Sequence, residues 1–199
     1  LLAAQAGWRA PDVILFLCVV VATPWIAIGF WNAVIGLVLS HMVRDGITTA
    51  APFLADAPDS GRIACRTAIL MTLRNEDPAR AVARLRAVKA DLDATTAGAQ
   101  FDYFLLSDSS LPAIAVAEEQ EVARWREEDG SRRIHYRSRE SNTGIKAGNV
   151  RDFCLRWGDD YDHMLPLDAD SVMGAATVLA MVRILDRNPR IGILQSLVV

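Results

Sequence analysis

Residues 64–110, ACRTAILMTLRNEDPARAVARLRAVKADLDATTAGAQFDYFLLSDSS, hold two short apolar runs on either side of one amphipathic segment. Ala64–Thr72 reads as a buried strand. Asp77 and Pro78 then supply an N-cap and a first-turn proline, and Val82, Leu85, Val88 and Leu92 space the apolar face of a helix. Phe101–Leu106 reads as a second strand, closed by the turn-forming cluster Ser107-Asp108-Ser109-Ser110.

Downstream the alternation continues. A charged helix is expected over Ile114–Glu128 with Ile114, Val116, Val122 and Trp125 facing inward, then a short strand over Ile134–Tyr136. A helix over Lys146–Trp157 carries Val150, Phe153, Cys154 and Trp157 along one side. His163–Leu167 reads as a strand, Ala175–Leu185 as a helix and Ile191–Leu194 as a last strand. This order predicts an α/β fold with a mostly parallel, doubly wound, Rossmann-like sheet, which binds ligands beyond the carboxyl ends of its strands. No internal repeat is visible.

Upstream, Val13–Ser40 (VILFLCVVVATPWIAIGFWNAVIGLVLS) is 28 residues without a charge. As a helix it reaches roughly 42 Å, enough to cross a hydrocarbon core of about 30 Å with tilt. One transmembrane helix is the economical reading, with a buried core helix as the alternative. A cleavable signal peptide would be shorter, and would not carry Trp25 and Trp31 in its middle. Arg9 on one side and Arg44 with His41 on the other leave the orientation open by charge. The expected division is a flank at 1–12, the span at 13–40, an Ala/Pro/Gly-rich connector at 41–62 and a partial domain at 63–199.

The 199 residues are 52% hydrophobic and 23% charged, so the chain must fold. Lys plus Arg is 21 and Asp plus Glu is 24, a net charge of −3, which argues against nucleic acid as a partner. Cys18, Cys65 and Cys154 show neither CxxC nor Cys/His spacing, which excludes a disulfide framework and a sequence-readable zinc site, and suits a reducing compartment. The start at Leu1 and the apolar ending Leu197-Val198-Val199 read as those of a fragment.

In such a sheet the polar residues that follow strands are the candidates for chemistry. They are Thr72-Leu73-Arg74-Asn75-Glu76-Asp77 after the first strand, Ser107-Asp108-Ser109 after the second and Asp168-Ala169-Asp170 after the fourth. Two carboxylates at i and i+2 can turn toward one hard cation that also bridges two phosphates. Alone, such a pair is more often a turn or a helix cap, and Asp108 alone an Asx turn. Three acidic strand ends at one rim favour the site.

The ordered set NED, SDSS, IAVAEE, KAGNVRDFCLRWG, LDADSVM and NPRIGILQS, following a PWIAIGFWNAVIG-type membrane span, resembles the glucans biosynthesis glucosyltransferase H family. These are the membrane glucosyltransferases of osmoregulated periplasmic glucan synthesis. The resemblance implies a family 2 enzyme of GT-A fold. It implies a processive inverting transferase that takes glucose from UDP-glucose to build a β-linked glucan, mainly β-1,2. It further implies a bacterial inner-membrane protein with several spans and a cytoplasmic catalytic domain, in contact with membrane lipid, the growing glucan acceptor and acyl carrier protein. Leu1 would then lie on the periplasmic side of the span.

By the same resemblance, Asp108 matches the acidic residue that holds the uridine. Asp168 and Asp170 match the DxD pair that handles the diphosphate through Mg²⁺ or Mn²⁺. Lys146 matches a lysine near the nucleotide; read alone, it is equally a solvated helix-start residue. Thr72, Arg74, Asn75 and Glu76 form the first donor-binding loop. Relatives read close to P-x-Y-N-E there, with a tyrosine able to stack on uracil. This chain has Arg74 at that place, and a planar guanidinium can also stack on a base. The family's catalytic base and acceptor motif lie beyond the DxD strand and are not in these residues, so this piece alone is expected to be inactive.

The sequence admits two other readings. Asp168-Ala169-Asp170-Ser171-Val172 fits the nucleophile signature of haloacid-dehalogenase-like phosphatases, although that motif normally sits on the first strand. A non-catalytic, membrane-anchored nucleotide-sugar-binding module is the other, supported by the altered first loop. The basic run Arg132–Lys146 reads as a solvated face, with anionic lipid or an acidic carrier protein as functional alternatives. Glu118–Asp129 reads as a wet helix. His41, His135 and His163 stand near no other metal-ligand type in the sequence and are given no role.

Overall fold

A computed structural model describes residues 10–56 and 62–196, and the chain divides into two compact units, Leu1–Ala55 and Asp56–Val199. Residues 1–9 of the expected flank, 57–61 of the expected connector and the ending 197–199 lie outside the described residues.

The first unit is dominated by α1 (Ala10–His41), 32 residues with Pro24 inside and no buried residue. At about 1.5 Å per residue it is roughly 48 Å long. By length and composition it can cross a membrane. A helix in a soluble core hides its apolar stripe, whereas Trp25, Ile26, Phe30 and Trp31 here are exposed. A turn leads to the short α2 (Gly46–Ala50) and a 3₁₀ turn at Pro52–Asp56. Position 46 must be glycine, because a Cβ there would meet the Leu39 carbonyl oxygen at 1.8 Å.

The second unit is a four-stranded sheet, wholly parallel, in the order β3-β2-β1-β4. In chain order it runs β1 (Thr67–Leu73), α3 (Pro78–Asp93), β2 (Phe101–Ser107), α4 (Pro112–Asp129), β3 (Ile134–Ser138), α5 (Ile145–Trp157), β4 (His163–Asp168) and α6 (Ala175–Arg187). Helix α3 starts as expected, with the Asp77 side chain accepting from the Arg80 amide at 3.0 Å and Pro78 in the first turn. Helix α4 ends at Gly130, whose φ of 68° makes the left-handed cap.

The fold is an α/β sheet covered on both faces. Ile69, Met71, Leu73, Tyr103 and Leu105 cluster with Val82, Leu85 and Val88 of α3, Val122 and Trp125 of α4, and Val178 and Val182 of α6. The opposite-facing Ala68, Leu70, Phe104 and Leu106 cluster with Phe153 of α5. Central strands buried on both faces explain why Ile69–Met71 and Tyr103–Leu106 are apolar without alternation. Leu85 is fully buried, so truncating it to alanine costs about 2–5 kcal/mol.

Four expectations are corrected. Residues 191–194 form no strand, since no ladder partner stands beside them among the described residues. Val116 is exposed, because 118, 122 and 125 form the inward i, i+4, i+7 stripe of α4 and 116 falls off it. That stripe puts Glu118 inside at 1% exposure, so this stretch is not simply a wet helix. Cys154 is exposed beside the stripe formed by Val150, Phe153 and Trp157.

Candidate functional site

Chain order and spatial order diverge between β1 and β4. From β1 the chain proceeds to β2 and β3 on one side, then returns through α5 to β4 on the other. At such a switch point the loops leaving two neighbouring strands part in opposite directions and open a crevice beyond the carboxyl ends. Register fixes its floor, with Thr72 opposite Asp168 and Leu73 opposite Ser107.

A cleft of about 510 Å³ lies there, lined by residues from the ends of β1, β2 and β4 and the starts of α3 and α5. This volume suits a small organic ligand. Of the sequence candidates, Thr72, Arg74, Glu76, Asp108, Lys146, Asp168 and Asp170 all line it. Asn75 does not. In the left-handed conformation (φ 65°) its side-chain oxygen accepts from the Ser110 and Leu111 amides, and its amide nitrogen donates to Ser110 Oγ. Asn75 therefore pins the β1 loop to the β2 loop.

Charge in the cleft is mixed but ordered. Glu76, Asp77, Asp108, Asp168 and Asp170 face Arg74, Arg80, Arg84 and Lys146. Lys146 Nζ bonds to Asp168, which leaves Asp170 on the same turn. Arg84 reaches across from α3 to donate to the Ala169 carbonyl at 2.9 Å, holding that turn in place. Asp108 is 4% exposed, and Arg139 grips both its carboxylate oxygens. This bond is the main reason the Arg139 pKa is raised.

Several of these groups were not legible as site residues. Arg137 is buried and donates to the Asn149 carbonyl and side-chain oxygens, and Asn149 in turn donates to the Leu106 carbonyl at 2.9 Å. Burial makes its charge costly and pulls the Arg137 pKa down despite Asp152 nearby. Arg133 bonds to Asp93 at 2.8 Å. The basic run is thus only in part a solvated face: Arg132 and Lys146 are exposed, whereas Arg133, Arg137 and Arg139 bond to carboxylates and carbonyls of the same domain. Glu118 accepts from Ser109 Oγ at 2.6 Å and from the Tyr136 hydroxyl at 3.0 Å, and Ser109 Oγ accepts from the Asn75 amide at 2.8 Å. A buried carboxylate thereby stiffens two of the loops at the rim.

The chain is 40% identical over 173 residues, 86% of its length, to the glucans biosynthesis glucosyltransferase H of Dickeya dadantii. Identity is the same over the same span to the proteins of that name from Salmonella typhimurium and Klebsiella pneumoniae. The chain is thus homologous to one part of the glucosyltransferase H proteins. It spans about a fifth of the length of these curated relatives. No family model matches the chain. The matched 173 residues are too many for the second unit alone, so the likeness extends into the unit that holds the apolar helix.

Proposed function

We propose that this chain carries the donor-nucleotide part of a membrane glucosyltransferase that uses UDP-glucose to extend a β-glucan of the osmoregulated periplasmic type by inverting transfer. One observation carries the reading: seven sequence candidates converge on one switch-point cleft in a chain whose relatives are named glucosyltransferases. In this reading Asp108 accepts from the uracil N–H, Arg74 stacks its guanidinium on the base and Lys146 lends positive charge to the diphosphate.

The residues present fit a hard divalent cation. Asp168 and Asp170 are exposed carboxylates two residues apart, in a cleft where carboxylates outnumber cations. They would hold Mg²⁺ or Mn²⁺, and the ion supplies charge neutralisation of the diphosphate and of the departing UDP. Inverting transfer also needs a carboxylate to take the acceptor hydroxyl's proton, a role given to no residue of this cleft. The phosphatase reading is weaker, since its signature here sits on the last strand in chain order.

The reading includes the bacterial inner membrane, with α1 as one of several spans and the second unit in the cytoplasm, where the donor is found. The growing glucan, membrane lipid and acyl carrier protein are its other partners. Calorimetry of UDP binding to the detergent-solubilised chain tests the core of the proposal. Binding is expected with Mn²⁺, much weaker without it, and insensitive to Mn²⁺ once Asp168→Asn and Asp170→Asn are combined. Equal UDP affinity with and without Mn²⁺ removes the metal role, and equal affinity for ADP and UDP removes uridine recognition.

A further inference from the structure

At the opposite end of the sheet, three residues that sequence spacing kept apart come together. Cys65, His163 and Asp186 each offer one ligand atom, and these atoms lie within 4.8 Å of one another. Cys65 lies two residues before Thr67, the register partner of His163, so the two stand where β1 and β4 begin. Asp186 comes from the last turn of α6. The cleft lies at the other ends of these strands, roughly 20 Å away for strands of this length.

We infer that Cys65, His163 and Asp186 form a three-residue zinc site that fastens α6 to the first residues of β1 and β4. The frame is built before any ion arrives. The Asp162 and His163 amides donate to the Arg66 carbonyl at 2.9 and 3.2 Å, and the Arg66 amide donates to Asp162 Oδ2 at 2.7 Å. Segments 65–66 and 162–163 are therefore locked side by side. His163 Nε2 is buried and has no hydrogen-bond partner among the described residues. Such a group normally finds a partner, and a metal ion is one.

The donor set selects the ion. One sulfur, one imidazole nitrogen and one carboxylate oxygen suit borderline Zn²⁺ and not Mg²⁺ or Ca²⁺, which prefer all-oxygen shells. Thiolate and carboxylate together balance the two positive charges. Tetrahedral bonds of about 2.0–2.3 Å put ligand atoms roughly 3.3–3.8 Å apart, so three atoms within 4.8 Å of one another need draw in by only about 1 Å. Water takes the fourth position. A cysteine thiol carries its proton at neutral pH when no ion is bound. As the sulfur–zinc bond forms, the thiol proton leaves to solvent.

Cobalt alone, then zinc alone, are the probes, used on the detergent-solubilised chain carrying Cys18→Ser and Cys154→Ser, which removes the two exposed thiols. One thiolate-bound Co²⁺ per chain is expected, seen as a thiolate-to-cobalt charge-transfer band with tetrahedral d–d bands, and zinc should displace it and raise the thermal midpoint. Cys65→Ser should abolish the band. Asp186→Asn, at an exposed position that leaves folding intact, should weaken zinc binding by at least the roughly 10- to 100-fold known for lost outer-shell partners. A folded protein without the charge-transfer band overturns the site. So does an Asp186→Asn variant that binds zinc as tightly as the parent, whatever Cys65→Ser does to folding.

Discussion

Arg139 holds both carboxylate oxygens of Asp108, with Nε 2.7 Å from Oδ1 and Nη2 2.6 Å from Oδ2. The side chains are 10% and 4% exposed, so the pair sits largely out of water and joins the loop after β3 to the end of β2. The Asn142 side chain donates to the Asp108 carbonyl at 3.1 Å from the same loop. The acidic residue expected to recognise a base is thus oriented by an arginine 31 positions later.

Removing one member of such a pair leaves an uncompensated buried charge. Arg139→Met should cost about 3–5 kcal/mol in chemical denaturation, and adding Asp108→Asn should recover part of that loss. If Asp108 holds the uridine as proposed, Asp108→Ala should remove charge-assisted contacts worth about 1.5–3 kcal/mol, roughly 10- to 150-fold in UDP affinity. Unchanged UDP affinity in a folded Asp108→Ala protein would take this residue out of the donor site.

Glu118 gives a second prediction, at high pH. Burial, then Glu118, push the Tyr136 hydroxyl up to about 12. The folded chain therefore keeps this proton over a range where the unfolded chain, with an ordinary tyrosine pKa of about 10, has lost it. Stability should be full below about pH 10 and fall as the pH rises toward 12. In Tyr136→Phe this part of the slope should disappear from the thermal midpoint against pH. An identical slope in the variant would show that Tyr136 is not its source.

The sheet was legible because both central strands are buried on both faces and the intervening helices carry plain apolar stripes, as with Val82, Leu85, Val88 and Leu92. The cleft was legible because chemistry at strand ends needs only strand order, and Asp108, Lys146 and Asp168 each stand at or next to an element end. What stayed hidden is pairing over long separations. Arg137 and Arg139 read as surface residues because charge in a sequence carries no address for its partner. Glu118 read as wet for the same reason, since an acidic residue on an inward stripe is told from a neighbouring outward one only when Ser109 and Tyr136 are seen to meet it. Ile191–Leu194 shows the converse error, where local pattern without a neighbouring edge does not make a strand.

Acid should expose a different pair. Burial alone would raise the Asp102 carboxyl, but His135, Arg66 and Tyr161 outweigh it and hold it below the usual range, with Arg66 Nη2 at 2.7 Å. The unfolded chain takes up this proton near pH 4, before the folded one does. The contribution is present above that pH and is lost as the pH falls through the lower folded value. Asp102→Asn should be less stable than the parent at neutral pH and should lose less on acidification below pH about 4. Parallel acid curves for the two proteins would refute the assignment.

Gly148 ties the backbone to the site. A Cβ at this position would meet the Thr143 carbonyl oxygen at 2.0 Å and its carbon at 3.0 Å, both backbone atoms that cannot swing aside. That same carbonyl accepts from Arg139 Nη1 at 3.2 Å, and the Gly148 amide donates to the carbonyl of Gly144, which has a φ of +76°. Gly148→Ala must therefore shift the first turn of α5, which carries Lys146, and loosen Arg139 from its loop. A cost of about 1–3 kcal/mol is expected, as for other overpacked sites, together with weaker UDP binding. Gly158→Ala is the control. Its new methyl would meet only Cys154 Cβ at 3.7 Å, at φ −57°, so it should be neutral or stabilising by about 0.4–1 kcal/mol and leave UDP affinity unchanged. Equal effects of the two substitutions on stability and on UDP binding would show that the close approach at Gly148 does not position the site.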